Sequence, residues 1–209
     1  MSNEHPILFS TPMVQAIMEG RKTQTRRTKG LEKLNTQPSH YKYIGNSKKN
    51  DNIAFPAEGY NARPWFAFQI NISNAYDFIF QCPYGKVGDI LWVRETFNYR
   101  DREKMNVAYK ADKDKQAQHF LPWKPSIHMP KAAARIWLEI TDVRVERLHD
   151  ISEADAKAEG TGTANFLEPK PQHFFWLWES INGKGSLESN HWVWVVEFKV
   201  VSTNGRPKV

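Results

Sequence analysis

The stretch that most limits the possible folds is residues 136–148. Here Ile136, Leu138, Ile140, Val143 and Val145 alternate with other residues, and the alternation breaks once near Thr141 and Asp142. Period-two alternation over this length specifies a long strand with one face on a core. The single break is what a β-bulge produces. Further strand candidates are the apolar run at 6–10, the aromatic runs at 65–70 and 77–80, residues 90–97, a weak run at 106–110, and 191–200. Ser73-Asn74-Ala75 reads as a hairpin turn. Helical signals are few and short. Residues 11–19 carry Val14, Ile17 and Met18 on one face, with Thr11 as N-cap, Pro12 at the first helical position and Gly20 just past the end. Residues 150–160 begin with capping and acidic residues and stop at Gly160, and the aromatic segment 173–181 reads as a helix lying mostly in the core. The order of elements predicts an α+β domain with a mostly antiparallel sheet or open barrel.

Composition narrows the class. The chain has 209 residues, long enough for one large domain, and its 40% hydrophobic content with eight Trp excludes a disordered chain. Cys82 is the only cysteine, which excludes an intramolecular disulfide and a Cys-rich zinc site and fits a cytoplasmic protein. Cys82 itself reads as a buried thiol. With no run of eighteen apolar residues and no signal-peptide pattern, no membrane association is expected. The formal net charge of +6 favours an anionic partner such as a nucleic acid or nucleotide. Residues 28–64 are polar and read as an insertion whose Lys48, Lys49 and tyrosines can either touch nucleic acid or face solvent. Residues after 202 read as a frayed tail.

Chemistry concentrates in Gly20-Arg21-Lys22-Thr23-Gln24-Thr25-Arg26-Arg27, directly after the first helix. If this segment turns tightly or adds a helical turn, Lys22 and Thr25 share a face. A desolvated Lys loses its proton more easily and can activate a hydroxyl or a water. A solvated basic loop is the plainer alternative. Glu159 ends the helix at 150–160, where a carboxylate opposes the helix dipole and needs a cationic partner. Such local conflicts are expected at functional sites. Arg94 and Glu95 fall on opposite faces of a central strand, so one can face a pocket. The proline-bounded loop 123–130 offers Trp123 for stacking and Ser126 and His128 for polar contacts.

These residues carry a resemblance. Gly20-x-Lys22-x-x-Thr25-x-Arg27 resembles the G-x-K-x-x-[E/T]-x-R signature of ASCH domains, PUA-like small β-barrels associated with RNA. Gly88-Asp89-Ile90-Leu91-Trp92-Val93 is similar to that family's strand entry, residues 151–160 to the helix after its long strand, and Trp194 to Phe198 to its closing strand. The whole resembles the longer ASCH proteins of phages and prophages. It implies a single domain over 1–202, with insertions at about 28–64 and 100–130 and a flexible tail at 203–209. Thr25 at the variable motif position is similar to the bacterial N4-acetylcytidine amidohydrolases. That resemblance implies catalytic roles for Lys22, Thr25 and Glu159, substrate contacts from Arg26 and Arg27, and no metal or cofactor. The implied partner is a modified cytidine nucleoside or base. An RNA-binding or RNA-cleaving module is the alternative, with the same cations on phosphates.

Overall fold

A computed structural model describes residues 2–46, 64–70, 76–120, 122–161 and 170–207. The turn expected at 73–75 and the Lys48–Lys49 pair lie outside the described residues. The elements in chain order are β1 (Glu4–Leu8), α1 (Thr11–Met18), β2 (Gln24–Arg27), α2 (Glu32–Asn35), β3 (Tyr41–Asn46), β4 (Trp65–Ile70), β5 (Tyr76–Gln81), β6 (Ile90–Arg94), β7 (Phe97–Asp101), β8 (Asn106–Tyr109), α3 (Lys115–Phe120), β9 (Trp137–Arg147), α4 (Glu153–Ala158), α5 (Pro171–Asn182) and β10 (Trp192–Ser202), with short 3₁₀ turns between. The fold is mixed α+β.

The main sheet has the order β1-β6-β9-β10-β2, and only the β1–β6 pair is parallel. β1 and β2 are its edges, so among the described residues the strands form no closed barrel. The bulge in β9 sits where the alternation breaks. Glu197 pairs with Asp142 and Phe198 with Ile140, which leaves Thr141 as the extra, exposed residue. The extra residue switches the parity of the strand, so Leu138 and Ile140 before it and Val143 and Val145 after it all enter one core.

β10 is buried on both faces. Trp192, Trp194, Val196 and Phe198 point into the main core, and Val193 and Val195 pack with Ile151, Ala156, Phe174 and Trp178 of the helical layer. Over the main-core face lies a second, antiparallel sheet, β3-β4-β5. Its Phe66 and Phe68 stand edge-on to Trp194 and Trp192, with ring centroids 4.8 and 5.1 Å apart. The polar stretch after Thr28 is anchored there. Leu31 and Leu34 are fully buried, and Asn35 exchanges hydrogen bonds with the Trp192 backbone. β7 and β8 form a separate ribbon. Residues past β10 are tied back by a hydrogen bond from Gly205 N to the Arg135 carbonyl and by an Arg206–Glu4 ion pair.

Two turns place the basic segment. α1 starts one residue earlier than its sequence suggests, with Ser10 rather than Thr11 at the N-cap. Gly20 follows the helix with φ +72°, the left-handed conformation that suits glycine. Arg21 N and Lys22 N then both donate to the Ala16 carbonyl, at 2.8 and 3.0 Å. Gly160 ends α4 with φ +74°, and a Cβ there would stand 2.8 Å from Lys22 Cβ and 3.0 Å from Ala16 Cβ. Gly160→Ala should therefore destabilise by about 2–5 kcal/mol, combining left-handed strain with overpacking. Gly183→Ala, whose Cβ would meet no atom within 4 Å but whose backbone at φ 95° and ψ 157° lies in a region almost confined to glycine, should cost only the strain, about 1–3 kcal/mol. Chemical denaturation of the two variants measures the difference.

Candidate functional site

Lys22, Thr25 and Glu159 meet in one cavity, but not by the route the sequence suggested. The segment after Gly20 is extended rather than turned, and Lys22 forms an isolated bridge to Glu159 before β2 begins. The segment extends because the β10 edge and the end of α4 flank it. Thr23 N donates to the Ala158 carbonyl at 2.8 Å, and Phe198 N to the Thr23 carbonyl at 2.8 Å. Tertiary pairing thus replaces the local turn.

Glu159 sits at the C-cap of α4, with the helix start fixed by a capping box between Ser152 and Asp155. Its dipole conflict is resolved by two cations. Lys22 Nζ lies 2.8 Å from Oε2 and donates a further 2.8 Å bond to the Glu159 carbonyl, and Arg26 Nη1 lies 3.1 Å from Oε1. Lys22, Arg26 and Glu159 are all buried. Burial is the main influence on the Lys22 amine and lowers its pKa. Glu159 opposes the shift, and the charges of Arg27 and Arg26 reinforce it. Arg26 also bonds Glu146 and lies 3.6 Å from Asp155. Arg144 holds the same two carboxylates at 3.2 and 2.8 Å. The site therefore rests on a connected charge network rather than on one pair.

Above these groups is a cavity of about 280 Å³, near the lower end of the roughly 300–1,000 Å³ typical of small-molecule sites. Lys22, Thr25, Arg26, Arg27 and Glu159 line one side, and Phe174, Leu177, Trp178 and Ile181 of α5 line the other. Three buried polar atoms of residues lining this cavity have no hydrogen-bond partner among the described residues, Thr25 Oγ1 and Arg26 Nε on one side and Trp178 Nε1 on the other. Unsatisfied buried groups cost about 1–3 kcal/mol each and are rare. Arg27 is half-buried, donates to the Leu8 and Arg26 carbonyls, and lies 5.2 Å from the Phe9 ring centroid. α5 is less of a core helix than its aromatic sequence suggests. Phe174 and Trp178 are buried, but Trp176 is 68% exposed away from the cavity and Ile181, 64% exposed, lies on its rim. The amphipathic spacing of 174, 177, 178 and 181 was the signal for this wall.

The other expected contact residues lie elsewhere. Glu95 is buried just past β6 and takes a two-pronged pair from Arg135, at 2.9 and 3.0 Å, with burial pushing its pKa up. Arg94 donates to the Ile127 carbonyl and lies 5.6 Å from the Trp92 ring centroid. Trp123, Ser126 and His128 belong to a loop joined to β7 through the Phe97–Lys124 bridge. None of the five lines the Lys22 cavity. His128 lines a separate cavity beside the β7–β8 ribbon instead. Cys82 is buried. Among the described residues, no group of three or more His, Cys, Asp and Glu is placed to hold a metal ion, and no helix is long and apolar enough to cross a membrane.

No protein-family model and no curated protein matches the chain. Among solved structures it is similar to protein EF3133 from Enterococcus faecalis V583, described as family-model DUF984. The identity is 12% and the TM-score 0.42, over 100% of this chain and 87% of that one. A likeness at that level assigns neither family nor activity.

Because Glu95 depends on Arg135, Arg135→Ala should cost about 3–5 kcal/mol by leaving a buried carboxylate unpaired. The loss should shrink on acidification as Glu95 takes up a proton. Its raised pKa means that the folded state binds that proton more readily than the unfolded chain. Urea melts at neutral and mildly acidic pH test both statements.

Proposed function

We propose that the chain is a metal-independent amidohydrolase that removes the acyl group from N4-acylated cytosine nucleosides or bases, and that its sheet is of the ASCH, PUA-like open-barrel type. The observation that carries the reading is the buried, unpartnered Thr25 hydroxyl in the same cavity wall as the Lys22–Glu159 pair. The motif resemblance around Lys22 and Thr25 supports the substrate class.

The chemistry follows from the charges. Neutral Lys22 takes the proton from Thr25 Oγ1 as that oxygen bonds to the acyl carbon. The carbonyl oxygen becomes an oxyanion facing donors of the wall, Arg27 and the Trp178 indole N–H. Collapse breaks the carbon–nitrogen bond, and the N4 nitrogen receives the proton from Lys22, with Glu159 as relay. Water then hydrolyses the Thr25 ester and releases the carboxylic acid, again with Lys22 as base. Lys22 and Thr25 make no hydrogen bond to each other in the free protein, so the transfer takes place once substrate binding brings Nζ within reach of Oγ1. A water oriented by Thr25 would give the same products without an ester.

An RNA-binding use of the same cations has less support. Lys22 and Arg26 are spent on buried carboxylates rather than presented to phosphates, and the cavity suits a nucleoside better than a strand.

Lys22→Ala and Glu159→Ala should lower turnover of N4-acetylcytidine about 10²–10⁴-fold. Thr25→Val should abolish turnover while leaving stability equal or higher, because it removes an unsatisfied buried hydroxyl. Cytidine release followed by chromatography, with thermal melts, tests all three. Full activity in Lys22→Ala would remove the proposal. Acyl-Thr25 in acid-stopped reactions, read by mass spectrometry, separates direct attack from the water route. For wild type, kcat/KM should rise with pH to a plateau whose midpoint lies below the ordinary lysine value of about 10.4, since burial lowers the Lys22 pKa. Stability should rise through the same interval, because there the folded state holds fewer protons than the unfolded chain.

A further inference from the structure

The β7–β8 ribbon and the loop that follows α3 enclose a second cavity of about 510 Å³, lined by Phe97, Tyr99, Arg102, Lys124, His128 and Pro130. It shares no residue with the Lys22 cavity. Its rim is open, since Arg102, Lys124, His128 and Pro130 are all exposed, and Tyr99 is half-buried between them. We propose that this cleft binds single-stranded nucleic acid, with phosphodiesters on Arg102 and Lys124 and a base stacked at Tyr99.

Three features support this assignment, none of which depends on the proposed hydrolase. First, the cations are uncompensated. Among the described residues neither Arg102 nor Lys124 has a carboxylate partner, whereas Arg100, Lys104 and Lys131 nearby do. An anion bound at either exposed cation would meet no competing carboxylate among the described residues. Second, both cations converge on one ring. The Arg102 guanidinium carbon lies 5.9 Å and Lys124 Nζ 5.8 Å from the Tyr99 ring centroid. A cation–aromatic group of this kind matches the alternation of phosphate and base along a strand. Third, the ring is held in place. Phe97 is buried edge-on to Tyr99 at 5.6 Å, and Lys124 is fixed beside it by backbone bonds, Lys124 N to the Phe97 carbonyl at 2.8 Å and Phe97 N to the Lys124 carbonyl at 3.2 Å. A platform already ordered loses little entropy on binding. A simple phosphate site would not need the aromatic floor. A duplex site would call for groove-sized protrusions, where this surface is concave.

The test is fluorescence anisotropy with a labelled ten-nucleotide oligouridylate across a salt series. The double variant Arg102→Glu/Lys124→Glu alters only exposed side chains. It should weaken binding at least tenfold and lower the slope of log K against log salt by about two phosphate contacts' worth. Its N4-acetylcytidine turnover should match that of wild type, which separates this proposal from the catalytic one. Lys184→Glu, an exposed reversal on the turn after α5, should change binding little. The proposal is overturned if the double variant binds like wild type, if Lys184→Glu weakens binding as much as one of the cleft reversals alone, or if uridine monophosphate competes as well as the unlabelled oligonucleotide at equal concentration.

Discussion

The double burial of β10 is the constraint from which the rest of the structure follows. A strand covered on both faces leaves only its edges for partners, and here these are β9 on one side and β2 on the other. β9 can follow β10 along its length only because the Thr141 bulge corrects its parity. The aromatic residues of β10 need a cover, and β4 supplies it. The valines of the opposite face need another, and α4 and α5 supply it. Once α4 lies across that face, its C-terminus falls beside the free edge of β2. The basic segment is therefore squeezed between a sheet edge and a helix end, where water would otherwise solvate it.

That placement makes the charges expensive and so makes them specific. Removing Lys22, Arg26 and Glu159 from water costs several kcal/mol per ion, recovered only if every donor and acceptor is matched. The carboxylate of Glu159 meets this condition, one oxygen on Lys22 and the other on Arg26. Arg26 in turn ties the pair to Glu146 and Asp155, which Arg144 holds from the other side. Such a network has few alternative arrangements, so Lys22 Nζ is held at a fixed point. Two buried atoms stay unmatched among the described residues, Arg26 Nε within the network and the Thr25 hydroxyl, which lies beside it yet outside it. Structures tolerate that cost where another molecule is meant to complete the bonding.

How much of this could be read from the chain depended on the range of the signal. The bulge in β9, the terminating Gly20 and the dipole conflict at Glu159 are local patterns, and each appears where local physics puts it. The need of Glu159 for a cation was legible, but the identity of that cation was not, because Lys22 is 137 residues away and only the β2–α4 contact chooses it. The same limit hid that Glu95 and the 123–130 loop lie away from the Lys22 cavity. Both carry residue types common in active sites, yet their surroundings are set by Arg135 and by the β7 edge, far along the chain. The role of α5 was half legible. Its aromatic run announced a helix lying mostly in the core but could not show that one side would be left to line a cavity. The polar stretch after Thr28 hid Leu31 and Leu34, because two leucines among lysines and asparagines carry no periodic signal.

The two cavities also differ in how they treat positive charge, and this separates their ligands more sharply than size does. Around Lys22, each guanidinium and ammonium has a protein acceptor, and the opposite wall is hydrocarbon and indole. A phosphate entering there would compete with Glu159 for cations already engaged, and would be desolvated against Leu177 and Ile181. A neutral amide carries no such penalty and can use the unpartnered hydroxyl and indole donors that a phosphate would waste. Around Tyr99 the balance is reversed. The cations face solvent, no carboxylate among the described residues pairs with them, and screening by salt acts on them in full. A neutral nucleoside gains little at such a surface, whereas each phosphate of a strand releases counterions as it binds. If both proposals hold, one chain carries two chemically distinct recognition surfaces, one sorted for uncharged groups and the other for polyanions.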